Sequence, residues 1–188
     1  MHQELQALDQ TKTWEIVPLP PCKRPIACKW VYKVKCKADG SIERLKVRLV
    51  VKGFTQREGI DYNETFSVVV KMTTVRTLMT MVVKKGWFIH QLDVNNVFLH
   101  GDLHEEIYMN LPQGICSFIP NAVYRSRKSL YGLKQASRQW YARLSQVLYQ
   151  RGYSHSKNDY SLFYKKSTNF VVFLAVYVDD ILLTGMMS

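Results

Sequence analysis

Apolar residues recur at helical spacing in three parts of this chain. The clearest pattern covers residues 135–151, where one apolar stripe runs along the segment and Gly152 follows it. A second helix is predicted over 73–85, with a closing glycine at Gly86. A short amphipathic helix is predicted over 1–11.

Strand-like segments occupy most of the remaining chain. The most distinct are 29–37 and 42–52, which are rich in β-forming residues and are joined by a turn at Asp39-Gly40. The other predicted strands are 14–17, 87–94, 107–109, 123–125, 161–165, 170–178 and 181–183. These helices and strands together predict an α+β fold.

Composition and charge narrow the class of protein. The 188 residues suffice for one domain with a sizeable core or for two small lobes, and a hydrophobic fraction of 47% indicates a globular chain. A net charge of +11 favours a polyanionic partner such as nucleic acid or nucleotides. No apolar run approaches the roughly 20 residues of a membrane span, so no membrane partner is expected. The four cysteines form no CxxC pair and the N-terminus has no signal-peptide pattern, so an intracellular, reduced protein is expected.

The tetrapeptide Tyr177-Val178-Asp179-Asp180 places two carboxylates between two apolar runs. Adjacent like charges between buried strands are unfavourable unless a cation neutralises them, and a divalent metal is the usual cation. Asp93 also ends an apolar strand, and pairing of the strands in one sheet would bring three carboxylates together. Phosphoryl transfer uses such carboxylates to hold two magnesium ions. The alternative is that the Asp pair is only a polar turn and Asp93 only a helix cap.

Several stretches, in order along the chain, carry a specific family resemblance. They are Arg48–Gln56 (RLVVKGFTQ), Lys71–Arg76 (KMTTVR), Leu92–Gly101 (LDVNNVFLHG), Ser129–Trp140 (SLYGLKQASRQW) and Tyr177–Asp180 (YVDD). Together they resemble the reverse transcriptase of copia-type LTR retrotransposons, and the match covers nearly the whole chain. Several motifs at compatible spacing make the resemblance far more specific than the tetrapeptide alone.

The resemblance implies a right-hand polymerase fold, with a fingers hairpin, a partial ferredoxin-like palm and no thumb. It places mainly fingers in 1–86 and mainly palm in 87–188, with a fingers return segment near 102–130. Because the family continues past the Asp-Asp hairpin, this chain is expected to be a fragment truncated after that hairpin, with weak or no activity alone. The function implied is RNA-directed DNA polymerase; the alternative is a truncated, inactive transposon remnant with residual nucleic-acid binding.

The resemblance also implies the catalytic residues. Asp93, Asp179 and Asp180 would be the catalytic carboxylates and metal ligands, with the carbonyl of Val94 beside Asp93 and Asp180 the less direct partner. The cofactor would be two Mg²⁺ ions, for which Mn²⁺ can substitute. The 3′-hydroxyl of the primer would attack the α-phosphate of the dNTP, so no protein nucleophile is needed.

Nucleotide-binding residues are implied on several segments. Lys46, Arg48 and Lys52 are expected to alternate along one strand face, and Arg48 first and Lys46 second would hold the triphosphate; the alternative is a basic edge strand that resists aggregation. Phe98 would lie under the sugar as a steric gate that excludes a 2′-hydroxyl; the alternative is a core aromatic. Gly132 would let the backbone approach closely, and Lys134 would reach phosphate or be part of a solvated face.

Nucleic-acid contacts are implied for Lys52, Gln135 and Arg138, with a solvated face as the alternative for Arg138. The implied partners are an RNA or DNA template–primer, dNTPs and the remainder of a Pol polyprotein, including integrase and RNase H. A complete element would act in a cytoplasmic virus-like particle.

Three positions depart from the family pattern. Val68 and Ser137 stand where proline is usual, and Val97 stands where alanine usually precedes the gate aromatic. None of these departures removes a metal ligand, but extra bulk at Val97 is expected next to the sugar pocket.

Overall fold

The computed structural model describes residues 2–186 and contains three α-helices and ten β-strands in that range. The helices are α1 (His2–Gln10), α2 (Met72–Lys85) and α3 (Ala136–Gln150). The strands are β1 (Trp14–Pro18), β2 (Cys28–Cys36), β3 (Ile42–Val51), β4 (Phe88–Asp93), β5 (Asp102–Asn110), β6 (Ala122–Lys128), β7 (Ser154–His155), β8 (Leu162–Lys166), β9 (Val171–Tyr177) and β10 (Asp180–Met186). Single 3₁₀ turns cover Gly53–Thr55 and Val97–His100. This mixed helix-and-strand architecture confirms the predicted fold class at that coarse level.

Local sequence signals account for most element ends. Gly86 closes α2 with a left-handed conformation at φ 64°, and its N–H donates to the carbonyl of Val82. Asp39 shapes the turn between β2 and β3, because its carboxylate accepts hydrogen bonds from the backbone N–H and the hydroxyl of Ser41. Strand β5 extends further than predicted, and the two-residue β7 was not predicted. Charged residues in β5 and the brevity of β7 weaken their patterns.

The chain divides into two compact units. The first comprises Met1–Thr65 and Phe98–Trp140, and the second comprises Phe66–Val97 and Tyr141–Ser188. The assignment of fingers and palm with a boundary at residue 86 is a separate one, and it stays a prediction.

The first unit contains a three-stranded antiparallel sheet, in the order β1-β6-β5, and the β2–β3 hairpin. Its core contains Leu8 of α1, Leu49 of β3 and Met109 of β5, each at most 1% exposed. The same core includes Leu130 and Leu133, which lie in the segment before α3. Apolar burial therefore connects that segment to the hairpin and the sheet.

The second unit contains a five-stranded antiparallel sheet in the order β4-β10-β9-β8-β7. Its core includes Phe163, Val176 and Ile181 on the sheet, with Tyr141 and Leu148 of α3. Phe163 is fully buried, so its replacement by alanine is expected to cost about 3–5 kcal/mol of stability. None of the helices in residues 2–186 has the length and apolarity that crossing a membrane requires.

Candidate active site

Two of the candidate carboxylates lie on neighbouring strands of the second unit. Strands β4 and β10 pair antiparallel, and their register places Asp93 directly opposite Asp180. Residues directly opposite in a sheet share a face, with their Cβ atoms roughly 4.5–5.5 Å apart. The expectation that strand pairing brings these carboxylates together is confirmed for this pair.

Asp179 lies in the two-residue turn that joins β9 to β10, next to the pair formed by Tyr177 and Asp180. Its backbone carbonyl accepts a hydrogen bond of 3.1 Å from the N–H of Val94. This bond ties the hairpin tip to the residue that follows Asp93. All three aspartates therefore lie at the same end of the paired strands β4, β10 and β9.

Val178, the first residue of this turn, has a φ of 54°. Positive φ at this position is typical of the primed turns that join paired strands, where glycine, asparagine or aspartate is preferred. A β-branched residue in this region is a genuine outlier, and such strain costs on the order of 1–3 kcal/mol. The tip of the candidate site therefore carries backbone strain that its surroundings must offset.

Gln91 is a neighbour that sequence reasoning missed. Its side-chain amide donates a hydrogen bond of 3.0 Å to the carboxylate of Asp180. It precedes Asp93 by two positions on β4, so strand periodicity places it on the same face and could have identified it. Asp93 is exposed and Asp180 is half-buried, so solvent and substrate can reach both carboxylates.

The donor chemistry of this cluster suits magnesium. Residues 2–186 contain no group of three or more His, Cys, Asp or Glu side chains arranged to hold a metal ion by themselves. Magnesium at phosphoryl-transfer sites is commonly held by one or two carboxylates together with waters and substrate phosphates. The facing, accessible pair Asp93 and Asp180, with Asp179 beside it, fits that incomplete protein shell.

The basic row of β3 belongs to the first unit. Lys46 and Arg48 lie on the same face of the strand, whereas Lys52 follows its end and caps the next 3₁₀ turn. Glu4 of α1 lies near these cations: burial raises the pKa of Glu4, and the charges of Arg48 and Lys46 act in the opposite direction. Lys46 and Arg48 thus share a strand face while Lys52 lies beyond the strand, and Glu4 is an acidic neighbour that the sequence did not indicate.

The ring of Tyr131 contacts Arg48 and Phe98, two residues that were predicted from the sequence to bind the nucleotide. The guanidinium carbon of Arg48 lies 4.2 Å from the centre of its ring, and the Phe98 ring meets it edge-on at 4.8 Å between centroids. All three side chains are half-buried. Tyr131 was not predicted as a site residue, although it lies within the Ser129–Trp140 motif.

Gly132 lies at a close approach between its own backbone and that of the β3 end. Its φ is 95°, and a Cβ atom there would stand 2.1 Å from the carbonyl oxygen of Val51. A Cβ atom on Gly53 would likewise stand 1.9 Å from the carbonyl oxygen of Gly132. Only glycine fits at these two positions without movement of the backbone.

A buried network of amides and carbonyls surrounds Gln135. Its side-chain amide donates to the carbonyl of Asp61 at 3.1 Å, and its side-chain oxygen accepts from Gln56 at 3.1 Å. The backbone N–H of Lys134 donates to the Gln56 side chain, and the Lys134 ammonium lies 3.1 Å from the hydroxyl of Tyr62. Gln135 is 0% exposed, so in this conformation its side chain does not reach the surface.

Arg138 and the three departing positions have distinct surroundings. The Arg138 guanidinium forms an ion pair of 2.9 Å with Glu64. Val97 is fully buried, so its extra bulk is accommodated by packing within the protein. Ser137 lies in the first turn of α3, and Val68 lies in a segment outside helices and strands.

Comparison with known proteins identifies the class to which this arrangement belongs. The family model described as reverse transcriptase (RNA-dependent DNA polymerase) matches residues 11–188. The chain therefore belongs to the reverse transcriptase family, as its motifs indicated.

Individual relatives point to transposon polyproteins. The chain is 46% identical over 187 residues to a Retrovirus-related Pol polyprotein from transposon RE1 of Arabidopsis thaliana, covering 98% of this chain and 13% of that protein. It is 44% identical over 187 residues to the Pol polyprotein from transposon TNT 1-94 of Nicotiana tabacum, covering 98% of this chain and 14% of the relative. A Transposon Ty1-DR4 Gag-Pol polyprotein of Saccharomyces cerevisiae is 28% identical over 191 residues, covering 97% of this chain and 11% of the relative. The chain thus spans about an eighth of the plant polyproteins, and the copia-type resemblance is confirmed.

Proposed function

We propose that this chain forms the part of an RNA-directed DNA polymerase that binds the dNTP and catalyses its transfer to a primer. The observation that carries the proposal is the register of β4 and β10, which sets Asp93 opposite Asp180 beside the turn that contains Asp179. Three carboxylates at the ends of paired strands are the arrangement that metal-dependent nucleotidyl transfer requires. The complete set, in a chain matched along 98% of its length, does not favour an inactive remnant.

Each residue of the carboxylate cluster has a role in this proposal. Asp93 and Asp179 would hold two magnesium ions, with the Val94 carbonyl as a further ligand and Asp180 as a less direct partner. When bound, magnesium neutralises charge at the phosphate and at the attacking oxygen. Gln91 restrains the Asp180 carboxylate through its hydrogen bond. No side chain acts as a nucleophile, because the 3′-hydroxyl of the primer loses its proton and attacks the α-phosphate, and the α–β phosphoanhydride bond breaks to release pyrophosphate.

The first unit supplies the nucleotide contacts. Lys46 and Arg48 bind the triphosphate, since both extend from one face of β3. Phe98 lies under the sugar and excludes a 2′-hydroxyl. Gly132 permits a close backbone approach, and Lys134 reaches phosphate by leaving its contact with Tyr62.

Nucleic-acid contacts are proposed for exposed or half-exposed cations. Arg138 exchanges its pairing with Glu64 for backbone phosphate, and Lys52 contributes a second charge. Gln135 acts indirectly, because its buried amide holds the segment that carries Lys134. The same proposal includes the assignment of fingers and palm to this chain. It also includes integrase and RNase H as partner domains, and action within a cytoplasmic particle.

Single-nucleotide addition tests the proposal. A labelled primer on an RNA template is incubated with excess chain, one dNTP and MgCl₂. We expect addition that falls by at least about 100-fold in Asp93→Asn and in Asp179→Asn, because charge neutralisation at the phosphate is lost.

Asp39→Asn is the matched control, because Asp39 lies in the exposed β2–β3 turn of the first unit. It removes one carboxylate and is expected to leave addition within twofold. Equal addition by the chain and both site variants, or no addition under any of these conditions, contradicts the proposed catalysis.

A further inference from the structure

We propose that Tyr131 is a positioning residue whose ring fixes both the phosphate-binding guanidinium of Arg48 and the sugar-gating ring of Phe98. The inference rests on the proposed nucleotide site and extends it, because it links phosphate recognition to sugar recognition through one side chain. All three residues lie in the first unit.

The two contacts of Tyr131 differ in kind. The Arg48 guanidinium carbon is 4.2 Å from the ring centre, a distance at which a cation is attracted to an aromatic face. Phe98 meets the ring edge-on, at 4.8 Å and an interplanar angle of 68°, which is a favoured geometry for aromatic pairs. One ring therefore restricts the motion of both neighbours.

The backbone of Tyr131 is itself held against β3. The carbonyl of Tyr131 accepts a hydrogen bond of 2.8 Å from the N–H of Val51, and the next residue, Gly132, packs against the Val51 carbonyl. Val51 is three residues from Arg48 on the same strand. The ring and the guanidinium are thus attached to one rigid strand end, which is what a positioning contact requires.

Arg48 carries an unsatisfied donor. Its Nε atom is one of three buried side-chain polar atoms without a hydrogen-bond partner in the part of the chain that the structure describes. A buried donor without an acceptor is costly, and such atoms are rare in native proteins. A planar guanidinium held on an aromatic face is suited to bidentate contacts with phosphate oxygens. The guanidinium group of Arg48 is therefore the contact proposed for an oligophosphate.

Equilibrium binding tests the inference without requiring catalysis. Sodium tripolyphosphate is titrated by calorimetry into the chain and into Tyr131→Leu, Tyr131→Phe and Tyr32→Leu. The last is the control, since Tyr32 is exposed and lies on the opposite face of the hairpin from Arg48. We expect the Kd of Tyr131→Leu to rise about tenfold, and those of Tyr131→Phe and Tyr32→Leu to stay within twofold, because phenylalanine keeps the aromatic face.

Sugar discrimination supplies a second readout that a merely structural role would not change. The Kd values of dATP and ATP, each with MgCl₂, are compared for the same proteins. Without the Tyr131 ring, the Phe98 ring should no longer be held in one position. We therefore expect the preference for dATP over ATP to fall at least threefold in Tyr131→Leu and to persist in Tyr131→Phe.

Arg48→Lys keeps the inference testable if Tyr131→Leu fails to fold, as judged by circular dichroism. Lysine retains the charge and loses the planar stack, and we expect its tripolyphosphate affinity to fall about tenfold. Equal binding by the chain and the folded variants overturns the role of Tyr131 and leaves the proposed function standing. No binding of tripolyphosphate by the unaltered chain overturns the nucleotide site and this inference together.

Discussion

In the second unit the candidate carboxylates lie at or next to the ends of paired strands, whereas in the first unit Lys134 lies on a segment held by buried side-chain hydrogen bonds. Asp93 and Asp180 are placed by the ladder of β4 and β10. By contrast, the Lys134 segment is placed by Gln56 and Gln135, which lie 79 positions apart in sequence. Backbone pairing thus positions the carboxylates, and specific side-chain contacts position the Lys134 segment.

This difference determines how each group tolerates substitution. A strand ladder uses backbone groups that every residue except proline possesses, so most side-chain changes leave it intact. A buried amide network uses particular side chains, and the loss of one leaves its partners unsatisfied. We therefore expect larger losses of stability from polar and glycine substitutions in the first unit than at the carboxylate hairpin.

Among the polar and glycine substitutions, the largest effect is expected for Gly132→Ala. The added Cβ would stand 2.1 Å from the Val51 carbonyl oxygen, in a backbone with φ of 95°. Overpacking and unfavourable φ together should lower the free energy of unfolding by about 3–4 kcal/mol, measured by urea denaturation.

Gly152→Ala is the control for this prediction, because Gly152 also has a positive φ, of 80°, but its nearest neighbour is the Lys165 side chain at 3.7 Å. It should lower the free energy of unfolding by only about 1 kcal/mol. Similar losses in the two variants would show that φ alone, and not the close approach at Gly132, sets the cost.

Gln135→Leu should have the next largest effect. It leaves the Gln56 amide and the Asp61 carbonyl without their partner inside the protein. We expect a loss of about 2–3 kcal/mol in the free energy of unfolding, and a smaller added loss when Gln56→Leu is combined with it. Gln113→Leu, at an exposed position, should change the stability by less than about 0.5 kcal/mol. Strict additivity of the Gln56 and Gln135 losses would argue against a coupled network.

The contrast between the units also explains which features could be predicted from the sequence and which could not. Strand ends at Asp93 and Asp180 follow from apolar periodicity, and so do the boundaries of α2 and α3, because these depend on local patterns. The burial of Gln135 could not be predicted from local patterns, since a polar residue at a helix start is usually exposed. Its burial depends on Gln56 and Asp61, whose proximity is created only by the tertiary fold.

Asp159 is the counterpart of Gln135 in the second unit, because it is a buried polar residue that holds α2. Helix α2 begins after Lys71 without a side-chain cap of its own. The Asp159 carboxylate accepts hydrogen bonds from the N–H of Lys71 and the hydroxyl of Thr74, and it also accepts from Ser161. Asp159→Asn places an amide N–H₂ among these donors and should lower the free energy of unfolding by about 2 kcal/mol.

The pH dependence of this loss gives an independent check. Burial acts to raise the pKa of Asp159, but the hydrogen bonds from Ser161, Thr74 and Lys71 hold that pKa below the ordinary value of 3.8. A carboxyl with a lowered pKa in the folded state stabilises it above the unfolded pKa and loses that contribution as pH falls through the folded pKa. The difference in unfolding free energy between the chain and Asp159→Asn should therefore be constant near neutral pH and shrink below about pH 3.8. A difference that grows on acidification would contradict this assignment.

The smallest effect is expected at the carboxylate hairpin, and its sign is opposite. Val178 has a φ of 54°, and glycine adopts this conformation without the penalty of a branched side chain. Val178→Gly should raise the free energy of unfolding by about 0.5–1 kcal/mol. The free energy gained by relieving the backbone strain should exceed the free-energy cost of the extra conformational entropy that glycine gives the unfolded chain. Val34→Gly, at an exposed position within β2, should lower it by a similar amount, since the strand there has no positive φ to relieve. A loss of stability in both variants would mean that contacts around the turn already offset the strain at Val178. The tip of the carboxylate hairpin would then depend on the Val178 side chain, just as the first unit depends on the side chain of Gln135.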